Sequence, residues 1–267
     1  MASAAPITGL PLLYNQLEPI SSQQHGKMKV RGLDALPQLA NVHAIPLTVD
    51  EFALAQRHYP IIFSAGEDPL PLALMGLNEG VNTFIDAEGK GIEKSVYLPA
   101  YLRRYPFLLA RLNPQGEELS LCVDPTSGAV GEFEDGQALF EDDGQPSEAT
   151  KSILQFCEQF EEAGQRTTLF MAELKKAGLL MEGEVAIQPE GAEQPFIYRG
   201  FSMVDEEKLR ELRGDELRKM NQNGLLPLVF AHLFSLSQTR EIFARQVEQG
   251  KGPIDRPATA APQPVEA

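Results

Sequence analysis

The residues best suited to chemistry lie in one short segment, 97–107, with the sequence YLPAYLRRYPF. Its adjacent Arg103 and Arg104 stand among three tyrosines and a phenylalanine. Guanidinium groups bind carboxylates through paired hydrogen bonds and stack on aromatic rings, so the segment suits an anionic or aromatic partner. It contains neither a nucleophile paired with a base nor a set of metal ligands. We therefore interpret it as a recognition surface, and the candidate binding residues are Tyr101, Arg103, Arg104 and Tyr105.

The two arginines are expected to play different roles. Successive residues of an α-helix point about 100° apart, so Arg103 and Arg104 do not share one helix face. One is expected to be exposed for contact with a ligand or partner, while the other pairs with a carboxylate inside the fold. The alternative is that both are stabilising ion-pair donors and that the neighbouring aromatic rings belong to the core.

The histidines do not indicate a metal site. None of them lies at HExxH spacing, and no cysteine is near enough in sequence to complete a zinc signature. His232 lies in an apolar stretch, which favours a hydrogen-bonded core or interface histidine. We predict no catalytic residue, no metal site and no cofactor. The four histidines are His25, His43, His58 and His232.

Other chemical motifs are also weak. The acidic loops EFEDG (132–136) and EDDG (141–144) carry the oxygen ligands that calcium prefers, but neither follows EF-hand spacing, so we expect solvated loops. Ser202 in RGFSMV lacks the second glycine of a nucleophile elbow, and no Walker or Rossmann pattern occurs. An enzymatic alternative, acting on a small molecule or peptide, would use dispersed polar residues. Its participants would be His43, His58, Arg104 and His232.

The charge balance narrows the classes of partner. Lys and Arg number 23 against 38 Asp and Glu, which gives a formal net charge of -15. A duplex nucleic-acid binder needs a cationic surface, and anionic membrane surfaces repel an acidic protein. We expect a soluble protein with a protein or peptide partner and no nucleic acid, and the oligomeric state stays open.

The amino terminus, the apolar stretches and the cysteines bear on the cellular location of the protein. The amino terminus, MASAAPITGLPLL, lacks the basic and continuous apolar regions of a secretory signal. The longest apolar stretch, 225–236, is shorter than the roughly 20 residues needed to cross a bilayer. These features predict cytoplasmic residence, with the cell surface, reached without a cleaved signal peptide, as the alternative. Cys122 and Cys157 have apolar neighbours, which favours buried free thiols, while a bridge between them stays open.

The elements that must position segment 97–107 indicate an α+β fold. The 43% hydrophobic content is typical of a globular protein with a substantial core. We predict mostly antiparallel strands in the first half, then a long central helix and a helical C-terminal part. The chain divides into an extended N-terminal arm at 1–40, a single α+β domain at 41–248 and a disordered C-terminal tail at 249–267.

Local signals place the individual helices. Ser147 is predicted to cap a long helix that reaches about Ala177, with Gly178 as its stop and Gly164 as a kink or division. Two short helices capped by Asp205 and Asp215 follow, and a final helix spans 225–247. Pro99 is predicted to open a helical turn over 98–104.

Alternating and apolar runs place the strands. The run at 42–47 contains Pro46, which predicts an edge strand because proline lacks the N–H of a sheet ladder. Turn residues between apolar runs predict antiparallel pairs. These pairs are 72–77 with 81–85, 107–112 with 119–123, and 179–187 with 196–204.

Several blocks of this sequence resemble the SapC-like family of bacterial proteins, over roughly residues 10–247. The blocks agree in order along the chain. They are NVHAIPLTVDEF (41–52), HYPIIFS (58–64), ALMGLNEGVNTFID (73–86), YLPAYLRRYPF (97–107), GFSMVDEEKLREL (200–212) and LVFAHLFSLSQ (228–238).

The resemblance implies a role at the bacterial surface but supplies no catalytic residues. The family takes its name from an association with paracrystalline surface layers, and an unrelated membrane permease shares that name. We therefore expect a non-catalytic, soluble accessory or interaction protein of a surface-layer or export/uptake system. A structural subunit of an ordered surface array is a further interpretation.

Overall fold

The structure is a computed structural model that describes residues 9–93, 95–112, 118–188 and 194–252. It has the predicted α+β fold. The strands are β1 Glu18–Pro19, β2 Lys29–Val30, β3 Ala44–Pro46, β4 Ile61–Ser64, β5 Pro71–Leu74, β6 Phe107–Ala110, β7 Ser120–Val123, β8 Val130–Gly131, β9 Gln137–Ala138, β10 Leu180–Ile187 and β11 Phe196–Val204. The helices are α1 Ser22–His25, α2 Phe52–Ala55, α3 Ala100–Arg104, α4 Glu148–Lys176, α5 Glu206–Glu211, α6 Gly214–Gln222, α7 Leu225–Ser235 and α8 Thr239–Glu248.

The largest sheet is antiparallel and has the strand order β10-β11-β4-β5-β3. Ile61, Ile62 and Phe63 of β4 are all buried, and because successive side chains alternate between faces, both faces of this strand are covered. β3 is an edge strand that ends at Pro46, as predicted. β10 and β11 form the predicted pair, with an irregularity in register after Gly183.

Two smaller sheets lie beside segment 97–107. β6 and β7 form the predicted antiparallel pair, and β1 pairs with the other side of β7. β2 lies between β8 and β9. Residues from the stretch predicted as an arm, 1–40, thus contribute β1 and β2. The turn predicted at 113–116 lies outside the described residues.

The long helix α4 begins and ends where its capping residues predict. Ser147 Oγ accepts a hydrogen bond from the Thr150 N–H at 3.2 Å. Gly178 has a φ of 66°, a left-handed conformation that glycine adopts without a Cβ penalty. The helix runs through Gly164 without interruption. Its later buried residues, Phe170, Met171 and Leu174, join the main core.

Residues 81–85 do not form the predicted strand. β5 ends at Leu74, and Ile85 makes an isolated bridge instead. Asn82 Nδ2 donates to Leu39 O at 3.1 Å and to Val42 O at 3.0 Å. Such side-chain bonds to the backbone compete with a sheet ladder, which explains the irregular loop.

The same loop is held by the C-terminal end of the described chain. Gln249 Nε2 donates to Thr83 O at 2.9 Å, and Lys251 Nζ donates to Asn82 O at 3.0 Å. Gln246 is fully buried, and its Oε1 accepts a loop N–H at 2.6 Å. The predicted tail therefore starts with ordered contacts, and its remainder lies outside the described residues.

The predicted final helix is divided into α7 and α8 by a 3-10 turn, Leu236–Gln238. The Ser235 hydroxyl donates to His232 O at 2.6 Å and accepts the Ile61 N–H at 2.8 Å. The Thr239 hydroxyl also donates back, to a carbonyl of the 3-10 turn, at 2.7 Å. Hydroxyl bonds to preceding carbonyls disturb regular helix geometry, so one long helix was the wrong prediction.

The two short helices before α7 begin differently. Asp205 Oδ1 accepts the N–H groups of Glu207 and Lys208, both at 3.1 Å, and caps α5 as predicted. α6 begins at Gly214, so Asp215 lies inside its first turn and the predicted cap is wrong there. An acidic side chain in the first turn still faces the favourable end of the helix dipole.

The main core lies between the largest sheet and the helices. Among the residues that the structure describes, no helix is long and apolar enough to span a bilayer. The largest fully buried side chains of the core include Phe52, Phe63, Ile45, Ile61, Leu174 and Ile242.

Candidate functional site

A buried carboxylate anchors the start of segment 97–107. Glu51 Oε1 accepts the Ala100 N–H at 2.5 Å and the Tyr97 hydroxyl at 3.0 Å. Glu51 Oε2 accepts the N–H and the hydroxyl of Thr48, both at 2.9 Å. Glu51 is only 4% exposed, and these four donors compensate for the lost solvation of its charge. The carboxylate therefore fixes the first turn of α3 in place.

Tyrosine hydroxyls fix the middle of the segment. The Tyr59 hydroxyl donates to Tyr97 O at 2.7 Å, and the Tyr101 hydroxyl donates to Leu12 O at 2.7 Å. Burial raises the pKa of Tyr59 and of Tyr101, so both hydroxyls keep their protons at neutral pH. Both side chains thus act as hydrogen-bond donors to the backbone.

The end of the segment packs against the N-terminal residues. The Tyr14 hydroxyl donates to Phe107 O at 2.8 Å. The ring of Tyr14 meets the ring of Tyr105 edge to face, with centroids 5.1 Å apart. The Tyr105–Pro106 peptide bond is cis. The segment is therefore fixed at both ends by contacts within the chain.

Arg103 and Arg104 diverge as helix geometry predicts. Arg103 is exposed, and its Nη2 donates to the Tyr97 hydroxyl at 3.2 Å. Its guanidinium carbon lies 5.7 Å from the centroid of the Tyr97 ring and 5.1 Å from that of Phe156. Arg104 is only 8% exposed, and its Nη1 lies 3.5 Å from Glu161 Oε1. One arginine is thus open to contact, and the other pairs with a carboxylate.

The buried Arg104 is incompletely paired. Its partner Glu161 is 40% exposed, and Arg104 Nε has no hydrogen-bond partner among the described residues. The guanidinium carbon lies 4.1 Å from the Phe160 centroid and 4.7 Å from the Tyr101 centroid. Ring faces attract a cation more weakly than a close carboxylate does. The positive charge of Arg104 is therefore only partly compensated. Burial raises the pKa of Cys157 to about 12, and the Arg104 charge opposes that rise.

A cavity of about 1130 Å³ lies against segment 97–107. Its walls come from α3 and the turn into β6, from the N-terminal part of α4, from the loop after β2 and from parts of residues 85–91. Most of the lining residues are apolar. They include Leu36, Leu98, Leu102, Phe107, Ile153 and Phe156.

The charged side chains that line the cavity balance in number. Arg31 lies with its guanidinium carbon 3.9 Å from the centroid of the Phe133 ring. Within the described part of the chain, neither Arg31 nor Arg103 has a carboxylate at ion-pair distance. Both cations are therefore held by aromatic rings. The charged lining residues are Arg31, Arg103, Arg104, Asp34, Asp135 and Glu148.

The four candidate binding residues differ in their access to the cavity. Arg103, Arg104 and Tyr105 line it, whereas Tyr101 is not among the described lining residues and is 5% exposed. The Tyr105 hydroxyl is buried and has no hydrogen-bond partner among the described residues. Burial raises the pKa of Tyr105 to about 12, so this hydroxyl is neutral. Arg103 is therefore the candidate whose charged group is open to a partner.

The residues of the enzymatic alternative do not meet at this cavity. His232 is fully buried, and its Nε2 accepts the Val204 N–H at 3.1 Å. Its Nδ1 therefore carries the proton and donates to Ile61 O at 2.8 Å, which confirms the predicted core histidine. His43 and His58 are half-buried and are not among the described lining residues. Burial lowers the pKa of His43.

The cysteines and the acidic loops are placed as predicted. Cys122 and Cys157 are free and buried. The acidic side chains of loops 132–136 and 141–144 are exposed. In the ranges that the structure describes, no group of three or more His, Cys, Asp or Glu side chains is arranged to hold a metal ion.

Sequence reasoning missed two contributors to the site. Glu51 carries a local signal, because Thr48 and Glu51 have the spacing of a capping box, and that box is formed here. Arg31 belongs to a stretch with little periodicity, so its position on a cavity wall has no comparable signal. Only the folded arrangement brings it to the cavity that Arg103 lines.

Comparisons with known proteins identify the family of this chain. No curated protein and no solved structure matches it. A family model described as SapC matches residues 20–242, which include the whole of segment 97–107. The chain belongs to the SapC family.

Proposed function

We propose that this protein is a non-catalytic binding protein that receives a segment of a protein or peptide partner in the cavity beside α3. It serves as an accessory component of a bacterial surface-layer or export/uptake system and acts in the cytoplasm. The observation that carries the proposal is the exposed Arg103 at the edge of a large, mainly apolar cavity.

The size and lining of the cavity favour a peptide-sized occupant. Its volume of about 1130 Å³ exceeds the range of roughly 300–1,000 Å³ that is typical of small-molecule sites. Apolar walls supply the driving force for burying a side chain, and a few charged groups at the edge supply orientation. The walls are also well supported, because Glu51 and several tyrosine hydroxyls fix the segment that forms one side.

The surface-system part of the proposal has a different support. It follows from the family name, which is associated with bacterial surface layers, and from family membership over residues 20–242. An accessory role in assembly or export agrees with a chain that offers a preformed recognition cavity.

Peptide selection tests the cavity directly. Random linear peptides displayed on phage are selected against the wild-type protein, and the enriched peptides are measured by titration calorimetry. Ser152 lies on α4 and lines the cavity, so Ser152→Trp places a large ring in the space that a peptide needs. We expect the enriched peptides to bind the wild type and to lose binding to Ser152→Trp.

The matched control is Gln159→Trp, an equally large change at an exposed position two turns further along α4 that is not a lining residue. This variant should bind the peptides like the wild type. Failure to enrich any peptide, or equal binding by both tryptophan variants, contradicts the proposed function.

A further inference from the structure

The cavity differs in charge from the rest of the molecule. The whole chain carries 23 basic against 38 acidic residues, whereas the cavity lining has three arginines and three carboxylates. An anionic group is therefore repelled less by the cavity lining than the net charge of the whole chain suggests. Arg104, one of these three arginines, is buried, and its nearest carboxylate oxygen is 3.5 Å away.

Arg103 is held in one position by neutral groups. The Tyr97 hydroxyl donates its proton to Glu51 Oε1 at 3.0 Å. The Tyr97 hydroxyl oxygen in turn accepts a hydrogen bond from Arg103 Nη2 at 3.2 Å, and the rings of Tyr97 and Phe156 lie beside the guanidinium. A guanidinium has five N–H donors, so most of the hydrogen-bonding capacity of Arg103 is left for a ligand.

Three other exposed arginines are engaged by acids, whereas exposed Arg57, Arg218 and Arg240 have no carboxylate at ion-pair distance among the described residues. Arg166, Arg199 and Arg210 each have a carboxylate oxygen within 2.6 Å. Arg103 instead contacts the Tyr97 hydroxyl and the rings of Tyr97 and Phe156. Its orientation is thus fixed without neutralising its charge, which is the arrangement expected of an anion receptor.

We propose that Arg103 is the anion receptor of the cavity, and that the bound peptide segment presents a carboxylate next to an apolar side chain. This inference rests on the proposed function. The carboxylate takes paired hydrogen bonds from Arg103, and the apolar side chain enters the space lined by Leu98, Leu102 and Ile153. Tyr97 is a positioning residue, since it acts on the ligand through Arg103.

Double-mutant cycles on an enriched peptide test this assignment. Each carboxylate of the peptide, including the terminal one, is replaced in turn by its amide, and dissociation constants are measured with wild type and Arg103→Gln. We expect one replacement to weaken binding to the wild type about tenfold or more, the value typical of a charged hydrogen bond. The same replacement should leave binding to Arg103→Gln unchanged.

The role of Tyr97 has its own readout. Tyr97→Phe keeps the ring but removes the hydroxyl, and should weaken binding of the acidic peptide about threefold, as for one neutral hydrogen bond. That effect should vanish in the Arg103→Gln background, whereas a purely structural role for Tyr97 leaves it in place. Arg57→Gln is the control, because Arg57 is exposed and is not a lining residue.

The outcomes separate the two proposals. Peptides that enter the cavity but show no coupling between a carboxylate and Arg103 overturn the anion-receptor assignment and leave the binding function standing. Enriched peptides without any carboxylate overturn it as well. If no peptide binds the cavity, both proposals fail together.

Discussion

Two buried basic side chains, His232 and Arg104, differ in how fully their polar atoms are satisfied. Both ring nitrogens of His232 have backbone partners, at 2.8 and 3.1 Å, and its ring stacks on Phe63 with centroids 4.4 Å apart. Arg104 has one carboxylate oxygen at 3.5 Å, and its Nε has no partner among the described residues. A fully satisfied group stabilises one conformation, whereas an incompletely paired cation beside a cavity contributes charge to a site.

The largest expected loss of stability follows from replacing His232, whose ring nitrogens are both hydrogen-bonded. His232→Ala leaves the buried Ile61 carbonyl and Val204 N–H without partners and opens a void, so the free energy of unfolding should fall by about 3–5 kcal/mol. Urea unfolding followed by circular dichroism measures the loss. His58→Ala, at a half-buried position without side-chain hydrogen bonds between described residues, serves as the control and should cost less than about 1 kcal/mol. Equal losses in the two variants contradict the structural role of His232.

The protonation of His232 should also make the free energy of unfolding depend on pH in the acidic range. Burial lowers the pKa of His232 to about 4, because a proton on Nε2 would face the Val204 N–H in an apolar core. An unfolded histidine has a pKa of about 6.5, so the unfolded state binds the extra proton between these values. The free energy of unfolding should therefore fall as pH drops from about 6.5 towards 4, by up to about 3 kcal/mol.

The measurement compares the pH dependence of unfolding in the wild type with that in His232→Asn, since carboxylates titrate in the same range in both proteins. The wild type should show the steeper loss of stability on acidification. Parallel curves for the two proteins would show that His232 takes up no proton on unfolding.

The smallest change in stability is expected from replacing Arg104, which is incompletely paired. Arg104→Met removes a buried charge together with its weak contact to Glu161 and its ring contacts, and the half-exposed Glu161 stays solvated. We expect the free energy of unfolding to stay within about 1 kcal/mol of the wild type, because replacing a poorly compensated buried ion is often neutral or stabilising. Urea unfolding checks this value, and a loss as large as that of His232→Ala would remove the contrast between the two groups.

Local signals explain what the sequence predicted well. Ser147 and Gly178 act on their own neighbours, so the ends of α4 follow from chemistry within a few residues. The divergence of Arg103 and Arg104 follows from the helical rotation alone. The pairing of β10 with β11 also needs only adjacent alternating runs.

The misses depend on contacts between distant residues. Residues 81–85 have the sequence pattern of a strand. In the fold, hydrogen bonds from the Asn82 side chain and from C-terminal side chains hold this stretch as a loop. Glu51 accepts a hydrogen bond from Tyr97, which is 46 positions away in the sequence, and no periodic pattern predicts that contact. The cavity itself joins α3, α4 and the loop after β2, so its existence is a property of the assembled fold.

The hydrogen bonds between residues 246–251 and the backbone of residues 77–83 have a consequence for the order in which the fold can form. Gln246, Gln249 and Lys251 supply bonds to this loop, and Ile85 just beyond it lines the cavity. A nascent chain lacks all three side chains until nearly the last described residue has left the ribosome. The wall of the cavity beside α3 is therefore supported in full only after Lys251 has been synthesised, and a chain that stops before Gln246 lacks all three of these bonds.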